Sequence, residues 1–303
     1  MAGAAVAAPP ESLARGQHVR TERVAVEGAE LEVISEGAGE PVILIQTALL
    51  AEEFAAIARE PVLAERFRVI RYHRRGYAGS SDVAGPGSIE RDAADCRGVA
   101  AALGVERAHL VGLSFSCAIA LALAAEFPGL VHTLTLLEPP PVHTRSEASF
   151  RAASAALAED YARSGPEDAV EGFLTQVIGP TWRGDAGGDV LPEAIDQLSR
   201  AMVTFVETDM PALLDWQFTR QRARRLTPPV LHIGGSDSGQ WFADSHDLML
   251  DWFPQLDDLV VRGASHSLAL THHGEVATAL ARFLSSHPIL TPVGSGRRQG
   301  DQR

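Results

Sequence analysis

The chain has 303 residues, 46% of them hydrophobic, which is enough to build a large buried core. Its 26 Lys+Arg against 39 Asp+Glu give a formal net charge of −13, which argues against a general nucleic-acid or anionic-membrane binder, since either needs a basic face. Two cysteines, Cys96 and Cys117, are too few for a disulfide framework, and no Cys/His spacing suggests zinc.

The N-terminus, MAGAAVAAPPESLARG, is small and Ala/Pro-rich and lacks the charged and leucine-rich regions of a signal peptide. Residues 1–20 read as a flexible segment. No run approaches the ~18 apolar residues of a membrane span, so the expectation is a cytoplasmic protein. Thr21 to Gly28 and Glu30 to Glu36 alternate as two strands of a hairpin-like start. Pro41 to Gln46 is a continuous apolar run and reads as a buried strand. Ala51 to Ala58 is helical in composition, and Phe67 to Tyr72 is the next strand. A polar, Gly-rich loop, His73 to Asp82, follows. Ser88 to Leu103 has helical spacing and ends at Gly104, a good residue just past a helix. His109-Leu110-Val111 reads as a strand, the Ala/Leu-rich segment to Phe127 as a helix, and His132 to Glu138 as a strand.

Glu138-Pro139-Pro140-Pro141 then breaks the alternation. Four helical segments follow: Ser146 to Arg163, Pro166 to Val177, Pro192 to Asp209 and Met210 to Phe218, with a Gly-rich stretch from Gly179 to Gly188 between them. Residues 142–226 therefore read as a helical lid inserted into a core formed by 21–141 and 227–288. The alternation resumes with a strand at Pro229 to Ile233, a helix at Phe242 to Phe253, a strand at Asp258 to Val261 and a last helix at His273 to Ser286. Residues 289–303 read as a disordered tail. Apolar strands alternating with helices mark an α/β fold with a mostly parallel sheet flanked by helices.

Gly112-Leu113-Ser114-Phe115-Ser116 sits between a strand and a helix. In so sharp a turn only small side chains fit two residues before and after the serine, and its hydroxyl is held clear of the backbone. The helix behind it aims its first N–H groups at whatever the hydroxyl attacks. A serine at neutral pH needs a base to take its proton, and the base needs an acid to fix its tautomer. Cys117, on the first turn of that helix, reads as a packed thiol.

The pentapeptide resembles the G-x-S-x-G elbow of the α/β-hydrolase family, with Ser116 at the last position, and the chain resembles the serine branch that carries a helical lid. The order of the family, serine then acid then histidine, implies the remaining site residues. Gly234-Gly235-Ser236-Asp237 follows a strand and matches the loop that delivers the acid, which implies Asp237. Glu138 also follows a strand, and some members place the acid there. Gly263-Ala264-Ser265-His266 matches the loop of the base and implies His266. His272, His273 and His232 read as capping, solvated or core histidines. The oxyanion hole implied by the resemblance takes the backbone N–H of Phe115 and that of Ala48. Gln46-Thr47 stands where the family usually shows His-Gly, and a β-branched residue there disfavours positive φ. Gln46 and Trp182 are expectations for substrate contact. HRRGYAGSS resembles a segment that braces the catalytic face, with His73 in place of an Asp.

The resemblance implies a serine hydrolase for a small or medium, largely apolar ester or related acyl substrate, acting through an acyl-enzyme, as a monomer or homodimer. It requires no metal or organic cofactor and no partner beyond a small-molecule substrate. Serine rather than aspartate at the elbow argues against the branches that form alkyl-enzyme esters. Carbon–carbon bond hydrolysis, a perhydrolase-type activity on the same triad and a non-catalytic ligand-binding relative remain open at this point.

Overall fold

A computed structural model describes residues 19–180, 182–185 and 192–290. The expected N-terminal segment up to residue 18, part of the Gly-rich stretch and the tail from 291 lie outside the described residues. Strands β1 (Arg20–Val26) and β2 (Ala29–Gly37) form the expected antiparallel hairpin, turning through Gly28 at φ 69°. Then come β3 (Glu40–Ile45), α1 (Ala55–Arg59), α2 (Pro61–Ala64), β4 (Phe67–Tyr72), α3 (Ile89–Ala102), β5 (Ala108–Leu113), α4 (Phe115–Glu126) and β6 (Val131–Leu137). Between β6 and β7 (Val230–Gly235) the chain leaves the sheet for a set of helices: α5 (Glu147–Ser164), α6 (Pro166–Val177), α7 (Trp182–Asp185), α8 (Pro192–Thr204), α9 (Met210–Asp215) and α10 (Arg220–Ala223). The core closes with α11 (Gln240–Trp252), β8 (Asp257–Val261), α12 (Leu268–Thr271) and α13 (His273–Ser286).

The eight strands make one sheet in the order β1-β2-β4-β3-β5-β6-β7-β8. β2 is antiparallel to both neighbours, and every pair from β4 to β8 is parallel. A parallel sheet is covered on both faces, which is why β3 reads as an unbroken apolar run. Ile43 and Ile45 point into the core under α3, α4 and the inserted helices, while Val42 and Leu44 point into a second core under α1 and α13. α13 offers Val276, Ala277, Leu280, Ala281 and Leu284 to that second core, a stripe at helical spacing. α3 starts where Ser88 accepts the Arg91 N–H at 3.0 Å and ends before Gly104 at φ 67°.

The expected helix from Pro192 to Asp209 changes pitch. α8 gives way at Phe205 to a π-helical turn through Asp209, which runs on into α9. Pro211 accounts for the change: it has no N–H to donate and its ring crowds the carbonyl four residues back, so the preceding turn widens. None of the described helices is long and apolar enough to cross a membrane. The C-terminal ends of β3, β5, β6, β7 and β8 share one rim of the sheet, where open α/β sheets bind ligands.

Candidate active site

β5 ends at Leu113 and α4 begins at Phe115, which leaves Ser114 alone to make the turn. Its backbone sits at φ 50°, ψ −119°, a conformation that a non-glycine residue holds only when its surroundings impose it. The surroundings are close. A Cβ on Gly112 would lie 2.7 Å from the Ser116 carbonyl oxygen and 2.9 Å from the Cys117 nitrogen, both backbone atoms that cannot step aside. Ser116 is fully buried, and its hydroxyl accepts the Leu113 N–H at 2.8 Å and donates to the Leu113 carbonyl at 3.0 Å. The serine in place of the usual last glycine therefore ties the turn shut. The Cys117 thiol donates to the Leu137 carbonyl at 3.4 Å, and burial pushes its pKa far up, as befits a packed thiol.

His266 stands in the loop after β8, 8% exposed, with its ring stacked on Phe242 at 3.8 Å between centroids. Its Nδ1 lies 2.6 Å from Glu138 Oε2. Glu138 follows β6 and is 1% exposed, and its other oxygen accepts the Gly235 N–H at 2.7 Å. Like Ser114 it holds a positive φ, 44°. Two strained non-glycine residues at the ends of adjacent strands, β5 and β6, are the pattern of an active site.

This corrects the expectation for Asp237. That side chain is exposed and takes the Ser236 hydroxyl at 2.7 Å. Its loop does reach the histidine loop, but through the backbone: the Asp237 N–H donates to the Ala264 carbonyl at 2.9 Å and the Ser236 N–H to Val261 at 3.0 Å. A Cβ on Gly235 would lie 2.3 Å from that same Ala264 oxygen. Gly235 thus lets two loops pack together, and the carboxylate that faces the imidazole comes from the neighbouring strand.

Ser114 and His266 share the wall of a cavity of about 70 Å³. Among the described residues no hydrogen bond joins the two side chains; such contacts often tighten only around a substrate. Thr47, Ala48 and Phe115 line the same cavity, and no hydrogen bond takes the N–H of Ala48 or Phe115 among the described residues. The positive φ in the loop after β3 falls on Leu49, at 65°, so Thr47 is spared the strain that its branching would oppose.

Gln46 and Trp182, the two expectations for substrate contact, are not among the residues that line this cavity. Gln46 Oε1 accepts the Arg74 N–H at 2.7 Å and holds one loop to another. Trp182 is buried in the larger core with the Arg183 guanidinium 4.6 Å from its ring. His73 bridges Glu32 at 2.7 Å and Glu52 at 3.0 Å, and Arg75 grips Asp95 with two bonds of 2.6 and 2.8 Å, which gives the HRRGYAGSS loop its bracing contacts. Among the described residues His232, His246 and Asp258 form a group with the donor set for a metal ion. Each imidazole already meets one Asp258 oxygen at 2.9 Å, so hydrogen bonds account for the grouping.

A family described as alpha/beta hydrolase fold matches residues 41–273. The chain belongs to the α/β-hydrolase fold family. No curated protein matches it. Among solved structures, an esterase from Thermogutta terrifontis is similar over 89% of this chain and 100% of its own, at 22% identity and a TM-score of 0.71. The enol-lactonase of Burkholderia xenovorans is similar over 87% of this chain and 100% of its own, at 20% identity and a TM-score of 0.70. The carboxylesterase CesB of Bacillus subtilis is similar over 89% and 92%, at 18% identity and a TM-score of 0.66. In this α/β-hydrolase the serine, the histidine and the carboxylate follow β5, β8 and β6, so all three stand on one rim of the sheet.

Proposed function

We propose that this chain is a serine hydrolase that cleaves a small or medium, largely apolar carboxylic ester or related acyl substrate. The observation that carries the reading is the 2.6 Å contact of buried Glu138 with Nδ1 of His266, which lines a cavity together with the strained Ser114. With Nδ1–H donated to Glu138, the neutral ring presents Nε2 as the acceptor for the serine proton. Ser114 Oγ attacks the carbonyl carbon as its proton passes to Nε2. The N–H groups of Phe115 and Ala48 receive the developing oxyanion, and Glu138 steadies the imidazolium. The imidazolium then gives its proton to the leaving alkoxide. A water deprotonated by His266 clears the acyl-enzyme and regenerates the serine. Phe150, Phe173, Val177, Phe205 and Leu213 on the cavity wall support an apolar acyl group. An esterase, a carboxylesterase and an enol-lactonase among the structural neighbours support the same bond class.

The test is turnover of short p-nitrophenyl esters together with labelling by a fluorophosphonate. Rapid labelling of the wild type, lost in Ser114→Ala and His266→Ala along with ester turnover, is the expected result. Turnover that survives Ser114→Ala, or no labelling of the native chain, overturns the reading.

A further inference from the structure

Two glutamates adjoin in the loop after β3, and their side chains have opposite fates. Glu52 is exposed and engaged: it pairs with His73 at 3.0 Å and with Arg71 at 2.7 Å, and these bonds hold its pKa down at about 2. Glu53 is only 8% exposed and lies on the wall of the cavity that Ser114 and His266 also line. No hydrogen bond or ion pair engages its carboxyl group among the described residues. Burial alone pushes its pKa up to about 8. At neutral pH the group is therefore a carboxylic acid, with one O–H to donate.

A buried polar group is normally matched by a partner. No side chain of the cavity bonds it among the described residues: apart from Thr47, Ser114, His266 and Trp241, whose N–H is taken by the Ser149 hydroxyl at 2.9 Å, the other lining side chains are apolar, and no Arg or Lys stands among the described lining residues. We propose that Glu53 is a specificity residue that donates its carboxyl O–H to a hydrogen-bond acceptor, an ether, carbonyl or hydroxyl oxygen, on an uncharged substrate. The claim rests on the acyl-transfer reading for the site's chemistry and adds the substrate class to it. A plain alkyl chain leaves the donor unmatched, and a substrate carboxylate finds no cation in the cavity. Sites built to bond a polar group discriminate strongly against analogues that lack it.

The experiment uses p-nitrophenyl esters paired by chain length: methoxyacetate against butyrate, methoxypropionate against valerate, and methoxybutyrate against hexanoate. Each pair differs by one ether oxygen in place of a methylene, and the series moves that oxygen along the cavity. Binding to Ser114→Ala is measured by titration calorimetry, alone and combined with Glu53→Leu, Glu53→Met or Glu53→Gln. The ratio of affinities within a pair cancels any general weakening of the cavity, and the methionine variant serves if the leucine variant fails to fold. In at least one pair the ether preference is expected to fall roughly fivefold to tenfold in Leu or Met and to persist in Gln, whose amide still donates. Ratios that stay within about twofold in every pair overturn the proposal, as does no binding of any ester. Hydrolysis of these esters by Ser114→Ala would instead sink the acyl-enzyme reading, so the two failures are told apart.

Discussion

Glu138 and Asp237 give the sharpest contrast between neighbouring carboxylates. The buried one holds His266 and the exposed one holds a turn. Glu138→Gln should lower kcat by roughly 10³–10⁴, because the amide no longer fixes the tautomer that leaves Nε2 free. Asp237→Asn should lower it by less than about tenfold, since what reaches the histidine loop is the backbone N–H at 237, which substitution keeps. Steady-state turnover of both variants on one short ester decides the matter, and a larger loss in Asp237→Asn contradicts the assignment. Either residue satisfies the pattern of an acid after a strand. What the sequence cannot display is the 2.7 Å bond from the Gly235 N–H that pins the second oxygen of Glu138. Glu53 was equally silent: nothing in Glu52-Glu53 tells which of the two turns inward. Its raised pKa has a further consequence. The folded state keeps the proton up to about 8 while the unfolded chain releases it near 4.5. Stability tied to Glu53 is thus fully present below 4.5 and is lost as pH rises towards 8, by at most roughly 5 kcal/mol. Glu53→Gln, which cannot ionise, should melt progressively higher than the wild type as the pH is raised from about 5 to about 8. Melting curves across that range check the sign; a gap that stays constant would show that Glu53 ionises freely in the fold.

Strands and helices were legible where burial alone shapes them. β4 and α13 keep the bounds read from the sequence, Phe67 to Tyr72 and His273 to Ser286, because one element is covered on both faces and the other on one. The short helices α2, α7, α10 and α12 escaped, being too brief to show a period. The π turn escaped as well, since its cause, Pro211, acts on the turn before it. That turn matters to the cavity. Phe205 begins it and packs on Phe173 of α6 at 4.8 Å between ring centroids, and both rings line the cavity. Phe173→Ala should therefore deepen the cavity and shift the preferred acyl chain longer by a few methylenes, while costing about 2–4 kcal/mol of stability because a largely buried ring is lost. The ratio of kcat/KM for hexanoyl over butyryl esters reads the first effect, and denaturant unfolding reads the second. An unchanged chain-length profile would mean that α6 covers the cavity without measuring its contents.

At the scale of the molecule, the question is how the inserted helices are held over the rim. One buried junction joins them to the core. The Arg74 guanidinium bonds Asp92 of α3 at 2.6 Å and Asp209 of the π turn at 2.5 Å, and the Tyr77 hydroxyl donates to Asp209 at 2.6 Å. The same guanidinium lies 4.4 Å from the ring of Phe115, whose N–H is proposed for the oxyanion hole. Asp209 is 3% exposed and Arg74 equally buried, so removing the carboxylate leaves a cation only partly compensated by Asp92. Breaking such a pair from one side is far more damaging than its net contribution suggests. Asp209→Ala should cost about 3 kcal/mol and loosen the insertion before the sheet unfolds, because the sheet's own ladders are untouched. Hydrogen exchange resolves the two: protection should fall across α8 and α9 while β3 and β5 keep theirs, and the KM for short esters should rise with the loss of a defined cavity roof. If instead exchange quickens evenly across sheet and insertion, the junction serves the whole fold and does not fasten one part to the other.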